Sequence, residues 1–134
     1  MTVESILEKL ISFPVFGGES NSSFIFWIKE YIESFGVEGL LVPNKEGDKA
    51  SLHCRIGPSV DGGVILSGHT DVVPVEGQNW TTDPFKLTDK GDGRLYGRGS
   101  CDMKGFIACC LAMLPQMVKA SLKKPIYFAF SYDE

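Results

Sequence analysis

Hydrophobic residues recur at helical spacing in the first part of the chain. Between Val3 and Ile11 they lie three and four positions apart, which predicts an amphipathic helix with Thr2 as its N-cap. A second helix is predicted to begin in residues 21–23 and to end at Gly36, because apolar and aromatic side chains share one face there. These side chains are Phe24, Trp27, Ile28, Tyr31, Ile32 and Phe35. We interpret this face as part of the hydrophobic core and not as a binding surface.

After the second helix the hydrophobic period shortens to two residues, which is typical of β-strands. Residues 37–42 and 51–56 are predicted to form two strands, and the turn-forming residues 44–49 join them into a hairpin. Polar and apolar residues alternate in the second of these strands. We therefore expect His53 to lie on its solvent-exposed face and not to bind a ligand.

Two later apolar runs, 64–66 and 125–130, show no such alternation, which predicts strands that are buried on both faces. A long irregular loop over residues 71–85 follows the first run, and loops of this kind are usually functional. A small hairpin through residues 89–93 then leads towards a further helix.

The order of these elements predicts an α/β fold, with a three-layer α/β/α arrangement of helices and sheet. The helix after the small hairpin is predicted over residues 105–120, and Pro115 is expected to kink or end it. Because this helix connects the two strands without alternation, we expect those strands to be parallel. Functional sites in open sheets of this type form at the carboxyl ends of the strands.

The composition predicts a single globular domain. The chain has 134 residues, 43% hydrophobic and 22% charged, and a chain of this length buries about 68–70% of its unfolded surface. A net charge of -4 and a pI near 5.2 argue against nucleic acid or an anionic membrane as the partner and favour a small molecule. The N-terminus does not have the pattern of a secretory signal, and the longest apolar run is too short to cross a bilayer. We therefore expect a cytoplasmic protein.

The four cysteines, Cys54, Cys101, Cys109 and Cys110, form no CxxC pair and have no regular spacing. Free thiols are therefore favoured over a disulfide framework or a zinc knuckle. Cys101 immediately precedes an acidic residue of a glycine-rich motif, but we do not expect it to bind a metal ion.

Three polar motifs lie at positions suited to a metal site. S-G-H-T-D (67–71) follows the first strand without alternation, G-R-G-S-C-D-M-K-G (97–105) leads into the last helix, and D-E (133–134) follows the last strand. Imidazole and carboxylate groups are the ligands of Zn2+ at sites that keep one position open for water. Taken singly, the histidine is equally well explained as a turn residue and the aspartates as caps or turn formers. Their joint placement favours a metallohydrolase site.

The motifs and their order resemble those of a family of zinc-dependent aminoacylases and carboxypeptidases, in which S-G-H-x-D-V-V-P, G-R-G-x-x-D-M-K-G and D-E-E follow one another. This chain matches the pattern up to Glu134. The resemblance implies a zinc-exopeptidase-like catalytic domain of which residues 1–134 are the N-terminal portion only. It also implies that an inserted lid or dimerisation domain and a C-terminal catalytic segment lie outside these residues, and that the complete enzyme is a homodimer.

The predicted strand order gathers His69, Asp102 and Glu134, and the resemblance implies a role for each. His69 is implied as a ligand of one metal ion and Asp102 as a bridge between two Zn2+ ions, which Co2+ can replace. Asp71 is expected to orient the imidazole of His69. Glu134 is expected to act as general base and then general acid. The resemblance also implies that the Asp102–Met103 peptide bond is cis.

Within the family, the chain is similar to the acetylornithine deacetylase branch through residues 44–47, 73–80, 83–85 and 105–108. The implied reaction is removal of the acetyl group from an N-acyl amino acid, N-acetylornithine, in arginine biosynthesis. The alternatives among enzymes are a succinyl-diaminopimelate desuccinylase and a general aminoacylase or carboxypeptidase. Because the ligands of the second ion follow Glu134 in the family, we expect the 134 residues alone to be inactive. A non-catalytic α/β module that retains the motifs is the alternative from another class.

Overall fold

The computed structural model describes residues 1–134, which form three helices and two β-sheets. The helices are α1 (Val3–Ile11), α2 (Ser22–Glu33) and α3 (Lys104–Lys119). The strands are β1 (Leu40–Pro43), β2 (Ala50–Ile56), β3 (Val64–His69), β4 (Thr88–Asp89), β5 (Leu95–Tyr96) and β6 (Ile126–Ser131). Every predicted element is present, although β1 begins three residues after the start of the strand predicted over residues 37–42. None of the helices is long and apolar enough to cross a membrane.

The ends of the first two helices differ in how they are capped. At the start of α1, Thr2 Oγ1 accepts a hydrogen bond from the Ser5 backbone N–H at 3.2 Å, as the sequence predicts. Asn21 occupies the same position before α2 but makes no capping hydrogen bond with its side chain. The last helical residue of α2 is Glu33, and Gly36 takes a left-handed φ of 76° beyond it. Asn21 is therefore available for another role.

Helix α3 continues through Pro115 to Lys119, so of the two predicted effects of the proline, a kink or an end of the helix, the end does not occur. Leu114, directly before the proline, is fully buried, and Met117, after it, packs against the core. Burial on both sides of Pro115 offsets the backbone hydrogen bond that proline cannot donate.

The larger sheet has the strand order β1-β2-β6-β3. Strands β1 and β2 form the predicted antiparallel hairpin, and β2 pairs antiparallel with β6. Strands β3 and β6 are parallel neighbours, as predicted, with His69 opposite Ser131. Their carboxyl ends therefore meet at one edge of the sheet. The motif at 67–71 spans the end of β3, and the motif at 133–134 follows the end of β6.

One face of the larger sheet carries the hydrophobic core. The buried strand residues on this face are Leu52, Cys54, Ile56, Phe128 and Phe130, and they join residues of all three helices in one cluster. His53, on the opposite face, is exposed as predicted. The α/β class is confirmed, and within these residues the helices pack on one face of the sheet.

The prediction that the run 64–66 is buried on both faces is wrong. Val64 is 56% exposed and Ile65 is 66% exposed. Strand β3 lies at the edge of the sheet, and no helix of this chain covers the face to which Ile65 belongs. An unalternating apolar run is therefore no proof of burial on two faces when the strand is at an edge.

The smaller sheet is the predicted hairpin of β4 and β5. It delivers the chain to the loop 97–103, in which Gly99 has a φ of 82°. A Cβ atom at this position would lie 2.7 Å from Val72, so only glycine allows the loop to pack against the strand exit after β3. The Asp102–Met103 peptide bond in this loop is cis, as predicted.

Candidate metal site

His69, Asp102 and Glu134 come together at the carboxyl ends of β3 and β6. His69 Nε2 lies 2.9 Å from Asp102 Oδ1 and 3.4 Å from Glu134 Oε2. One ligand atom from each residue lies within 4.8 Å of the others. The His69 side chain is mostly buried, whereas the carboxylates of Asp102 and Glu134 are largely exposed. The structure therefore assembles a triplet from three segments that are far apart in the sequence.

The spacing of these atoms suits a shared cation. Ligand atoms bound tetrahedrally to one zinc ion at about 2.0–2.2 Å lie roughly 3.3–3.6 Å from one another. The contacts from His69 Nε2 to Asp102 and Glu134 are 2.9 Å and 3.4 Å. Small adjustments of exposed carboxylates would bring all three atoms to the distances that zinc needs. One imidazole and two carboxylates also form a donor set that binds divalent metals.

The tautomer of His69 supports the same interpretation. Its Nδ1 lies 2.9 Å from the backbone carbonyl oxygen of Asp71, which only accepts hydrogen bonds, so Nδ1 carries the hydrogen. In the neutral ring, Nε2 then presents a lone pair to the carboxylate of Asp102 at 2.9 Å. Two acceptors at this distance need a proton or a metal ion between them. The geometry is therefore that of a ligand whose second nitrogen is fixed by the backbone.

The pKa of His69 reflects opposing influences. Burial of the ring lowers it, but the hydrogen bonds to Asp102 and to the Asp71 carbonyl oppose this effect, as do the charges of Glu134 and Asp71. Together they raise the pKa of His69 above its ordinary value. Carboxylates that stabilise a proton on Nε2 also stabilise a metal cation at the same place.

Asp71 contacts the His69 ring more closely through its backbone carbonyl oxygen than through its carboxylate. Its Oδ1 is 3.4 Å from His69 Nδ1, farther away than its own backbone carbonyl oxygen. The same carboxylate oxygen accepts a hydrogen bond from the Glu134 backbone N–H at 3.1 Å. The side chain of Asp71 thus links the exit of β3 to Glu134, while its carbonyl oxygen orients the imidazole.

A turn after β6 directs Glu134 towards His69. Asp133 has a left-handed φ of 48°, which is uncommon for a residue other than glycine. Its carboxylate accepts a hydrogen bond from the Gly18 N–H at 2.9 Å and pairs with Lys49. The hydrogen bond from Lys49 lowers the pKa of Asp133, so this carboxylate stays ionised. Neither Gly18 nor Lys49 belongs to a motif, and sequence reasoning did not single them out.

The triplet lines a cleft of about 220 Å³ whose other wall is the glycine-rich loop 97–102. Arg98 in this loop stacks over the ring of Trp80 at 5.2 Å and hydrogen-bonds to Gln78, so the irregular segment after β3 is tied to the cleft. Cys101 lines the cleft and is exposed, but it is not part of the triplet. All four cysteines are free thiols, as predicted.

The comparisons with known proteins agree with the motifs. A model of peptidase family M20/M25/M40 matches residues 65–134, a segment that includes the triplet. The match covers more than half of the chain, which therefore belongs to this family. Over 118 residues the chain is 41% identical to the acetylornithine deacetylase of Shigella sonnei (strain Ss046), a match that covers 87% of this chain and 30% of that protein. The chain thus spans about a third of the length of this relative.

Solved structures show the same fold. A metallo-carboxypeptidase of the M20 family from Sulfolobus solfataricus superposes with a TM-score of 0.82 at 23% identity, covering 97% of this chain and 30% of that chain. Human carnosine dipeptidase 1 superposes with a TM-score of 0.78 at 23% identity, covering 96% of this chain and 31% of that chain. At these identities the likeness concerns the fold alone.

Proposed function

We propose that this chain forms the N-terminal part of a zinc-dependent amidohydrolase that removes the acetyl group from N-acetylornithine. The observation that carries the proposal is the approach of His69, Asp102 and Glu134 ligand atoms to within 4.8 Å of one another. The substrate is supported by the 41% identity to an acetylornithine deacetylase. The remaining ligands, a lid or dimerisation domain and the homodimer interface belong, on this proposal, to a longer protein.

The chain's own residues have distinct parts in this proposal. His69 and Asp102 would hold zinc, with Asp102 shared between two ions and Co2+ able to replace them. When bound, zinc polarises the amide carbonyl and lowers the pKa of a water molecule towards about 7. Glu134 would accept the proton of the attacking water and then donate it to the departing amine, so that acetate and ornithine are released. The backbone carbonyl of Asp71 holds His69 in the tautomer that leaves Nε2 free to coordinate.

The exposure of the carboxylates explains why the site needs further residues. Asp102 and Glu134 side chains are 80% and 69% exposed. A general base works best in a fixed and partly desolvated position, where its pKa is close to the operating pH. Closure of the cleft by residues outside this segment would provide that position.

The test of the function is deacetylation by the gene product at its natural length, loaded with zinc. We expect hydrolysis of N-acetylornithine, loss of activity with a chelator, and recovery on adding zinc or Co2+. The Glu134→Gln variant should retain its metal but lose about 10²–10⁴-fold in kcat, because an amide cannot accept the proton.

Parallel assays with N-succinyl-diaminopimelate and a dipeptide would separate the alternatives within the family. Faster turnover of either would contradict the proposed substrate but not the metal site. Full activity in Glu134→Gln would show that another residue is the base. The absence of turnover with every substrate would favour the non-catalytic module.

A further inference from the structure

Strand β6 lies between β2 and β3. It ends level with β3 but does not reach the position opposite Ala50, the first residue of β2. On the β2 side Leu52 opposes Phe130, and on the β3 side His69 opposes Ser131. If β6 continued in this register, Tyr132 would lie opposite Ala50. The position between the start of β2 and the end of β3 would then be filled by β6 backbone.

The side chain of Asn21 fills this position instead. Its Nδ2 donates to the Ala50 carbonyl oxygen at 2.9 Å, and its Oδ1 accepts from the Ala50 N–H at 3.0 Å. This pair of bonds to one residue is the pattern that a neighbouring antiparallel strand makes. Nδ2 also donates to Thr70 Oγ1 at 3.1 Å, so the amide reaches across to the exit of β3. Asn21 is only 1% exposed.

Thr70 connects this amide to the last carbonyl group of β6. Both its backbone N–H and its hydroxyl donate to the Ser131 carbonyl oxygen, at 2.8 Å and 2.9 Å. Thr70 has no exposed area and lies between His69 and Asp71. These hydrogen bonds therefore fix the end of β6 to the end of β3, next to His69 and a few residues before Glu134.

The consequence is the turn that brings Glu134 to His69. Three further residues of extended strand would carry Glu134 about 10 Å beyond Ser131, the partner of His69. Instead the chain turns at Asp133, with a φ of 48°, and Glu134 Oε2 comes to 3.4 Å from His69 Nε2.

We propose that Asn21 and Thr70 are positioning residues that end β6 at Ser131 and thereby set the distance between His69 and Glu134. The proposal deepens the proposed function and rests on it for the roles of His69 as a metal ligand and of Glu134 as the general base beside the metal. The two residues touch neither metal nor substrate. They act through the Ser131 carbonyl group and the space that the Asn21 amide fills.

The first arm of the test measures amide hydrogen exchange in the metal-free chain. Asn21→Asp has nearly the same shape but cannot donate to Ala50 or Thr70, and Thr70→Val removes only the hydroxyl. In both variants, we expect the Ala50 and Thr70 amides to exchange about 10-fold faster relative to the buried helical amide of Leu111. A general loss of stability would accelerate all three amides equally. Thr70→Ser, which keeps the hydroxyl, should show the same exchange rates relative to Leu111 as the unaltered chain.

The second arm measures Co2+ binding by its visible absorption. Both variants should weaken Co2+ binding about 10-fold or more, because Thr70 directly follows the proposed ligand His69 and fixes it to the end of β6, and loss of a residue behind a ligand typically has an effect of this size. The absorption spectrum should change as well. The matched control is Thr88→Val, because the Thr88 hydroxyl donates to the Lys86 carbonyl oxygen in an exposed hairpin. This control and Thr70→Ser should bind within about 2-fold of the unaltered chain.

Two results would overturn the inference: Ala50 and Thr70 amides that follow Leu111 in both variants, or unchanged Co2+ affinity in both. If one variant fails to fold, the other decides both arms. Failure of the unaltered chain to bind Co2+ would overturn the proposed metal site. The exchange arm would still decide whether Asn21 and Thr70 hold the turn, because it is measured without metal.

Discussion

Lys104 is the one lysine or arginine that the fold buries completely. Its Nζ donates to the Phe13 carbonyl oxygen at 2.6 Å and lies 5.3 Å from the ring centre of Phe24. No carboxylate pairs with it, and burial lowers the pKa of Lys104 to about 8. A buried ammonium group without an acidic partner costs stability, and a carbonyl group and an aromatic face compensate for it only in part.

This arrangement predicts that the free energy of unfolding changes with pH in the alkaline range. The pKa of Lys104 is about 8 in the folded chain and about 10.4 in an unfolded one. Between these values the unfolded chain binds more protons, so the free energy of unfolding rises with pH and levels off above the unfolded pKa. Relative to Lys104→Met, which cannot titrate, the gain should be on the order of 2–3 kcal/mol. Urea denaturation from pH 7 to 10 in the presence of a chelator measures this gain. If the free energies of unfolding of the unaltered chain and of Lys104→Met changed in parallel with pH, the prediction would be wrong.

At the scale of elements, the start of β3 depends on a close approach to the start of β6. Gly63 has a φ of 100°, and a Cβ atom there would lie 2.1 Å from the Pro125 carbonyl oxygen. The Val64 N–H donates to the same oxygen at 3.2 Å. Glycine therefore serves two needs here, a left-handed backbone and space for the neighbouring strand. The register that later aligns His69 with Ser131 begins at this contact.

Gly63→Ala should therefore cost more stability than an ordinary glycine substitution. We expect a loss of about 2–4 kcal/mol in the free energy of unfolding, from left-handed strain together with displacement of backbone. Gly91→Ala is the matched control, because Gly91 has a φ of 76° and open space around its Cβ position. It should lose only about 1–2 kcal/mol. Equal losses in urea denaturation would mean that the contact with Pro125 relaxes freely.

At the scale of the whole molecule, the candidate site joins three separate segments. His69 ends β3, Asp102 lies in the loop before α3, and Glu134 follows β6. A metal ion bound by His69 and Asp102 would hold two of these segments together in the folded chain and find no such site in the unfolded one. Binding of metal should therefore stabilise the entire domain.

We expect zinc at about 100 times its dissociation constant to stabilise the chain by about 2.7 kcal/mol, which raises Tm by roughly 8–11 °C for a domain of this size. His69→Ala should abolish most of this shift. His53→Ala is the control, because His53 is exposed in β2 and belongs to none of the three segments that form the triplet. Calorimetry with and without zinc measures the shift. An equal shift in the His69 and His53 variants would place the metal elsewhere.

The elements and the motifs were open to prediction because each has a local cause. Helical spacing predicted α1 and α2, the alternation around His53 predicted an exposed face, and the glycine-rich motif located Asp102 before a helix. These patterns follow from backbone periods that are independent of the rest of the chain. The resemblance to a metallohydrolase family rested on the same short motifs.

Other features depend on neighbours that lie far away in the sequence. Ile65 is exposed because β3 is an edge strand, and α3 passes through Pro115 because its flanking side chains are buried. Asn21 occupies the N-cap position of α2, yet its amide takes the place of strand backbone beside Ala50. The sequence by itself determined the periodic elements and the ligand types, since these depend on local spacing. Only the tertiary structure decided the burial of each strand face and the 3.4 Å approach of Glu134 to His69, because both depend on contacts between segments that are distant in the sequence.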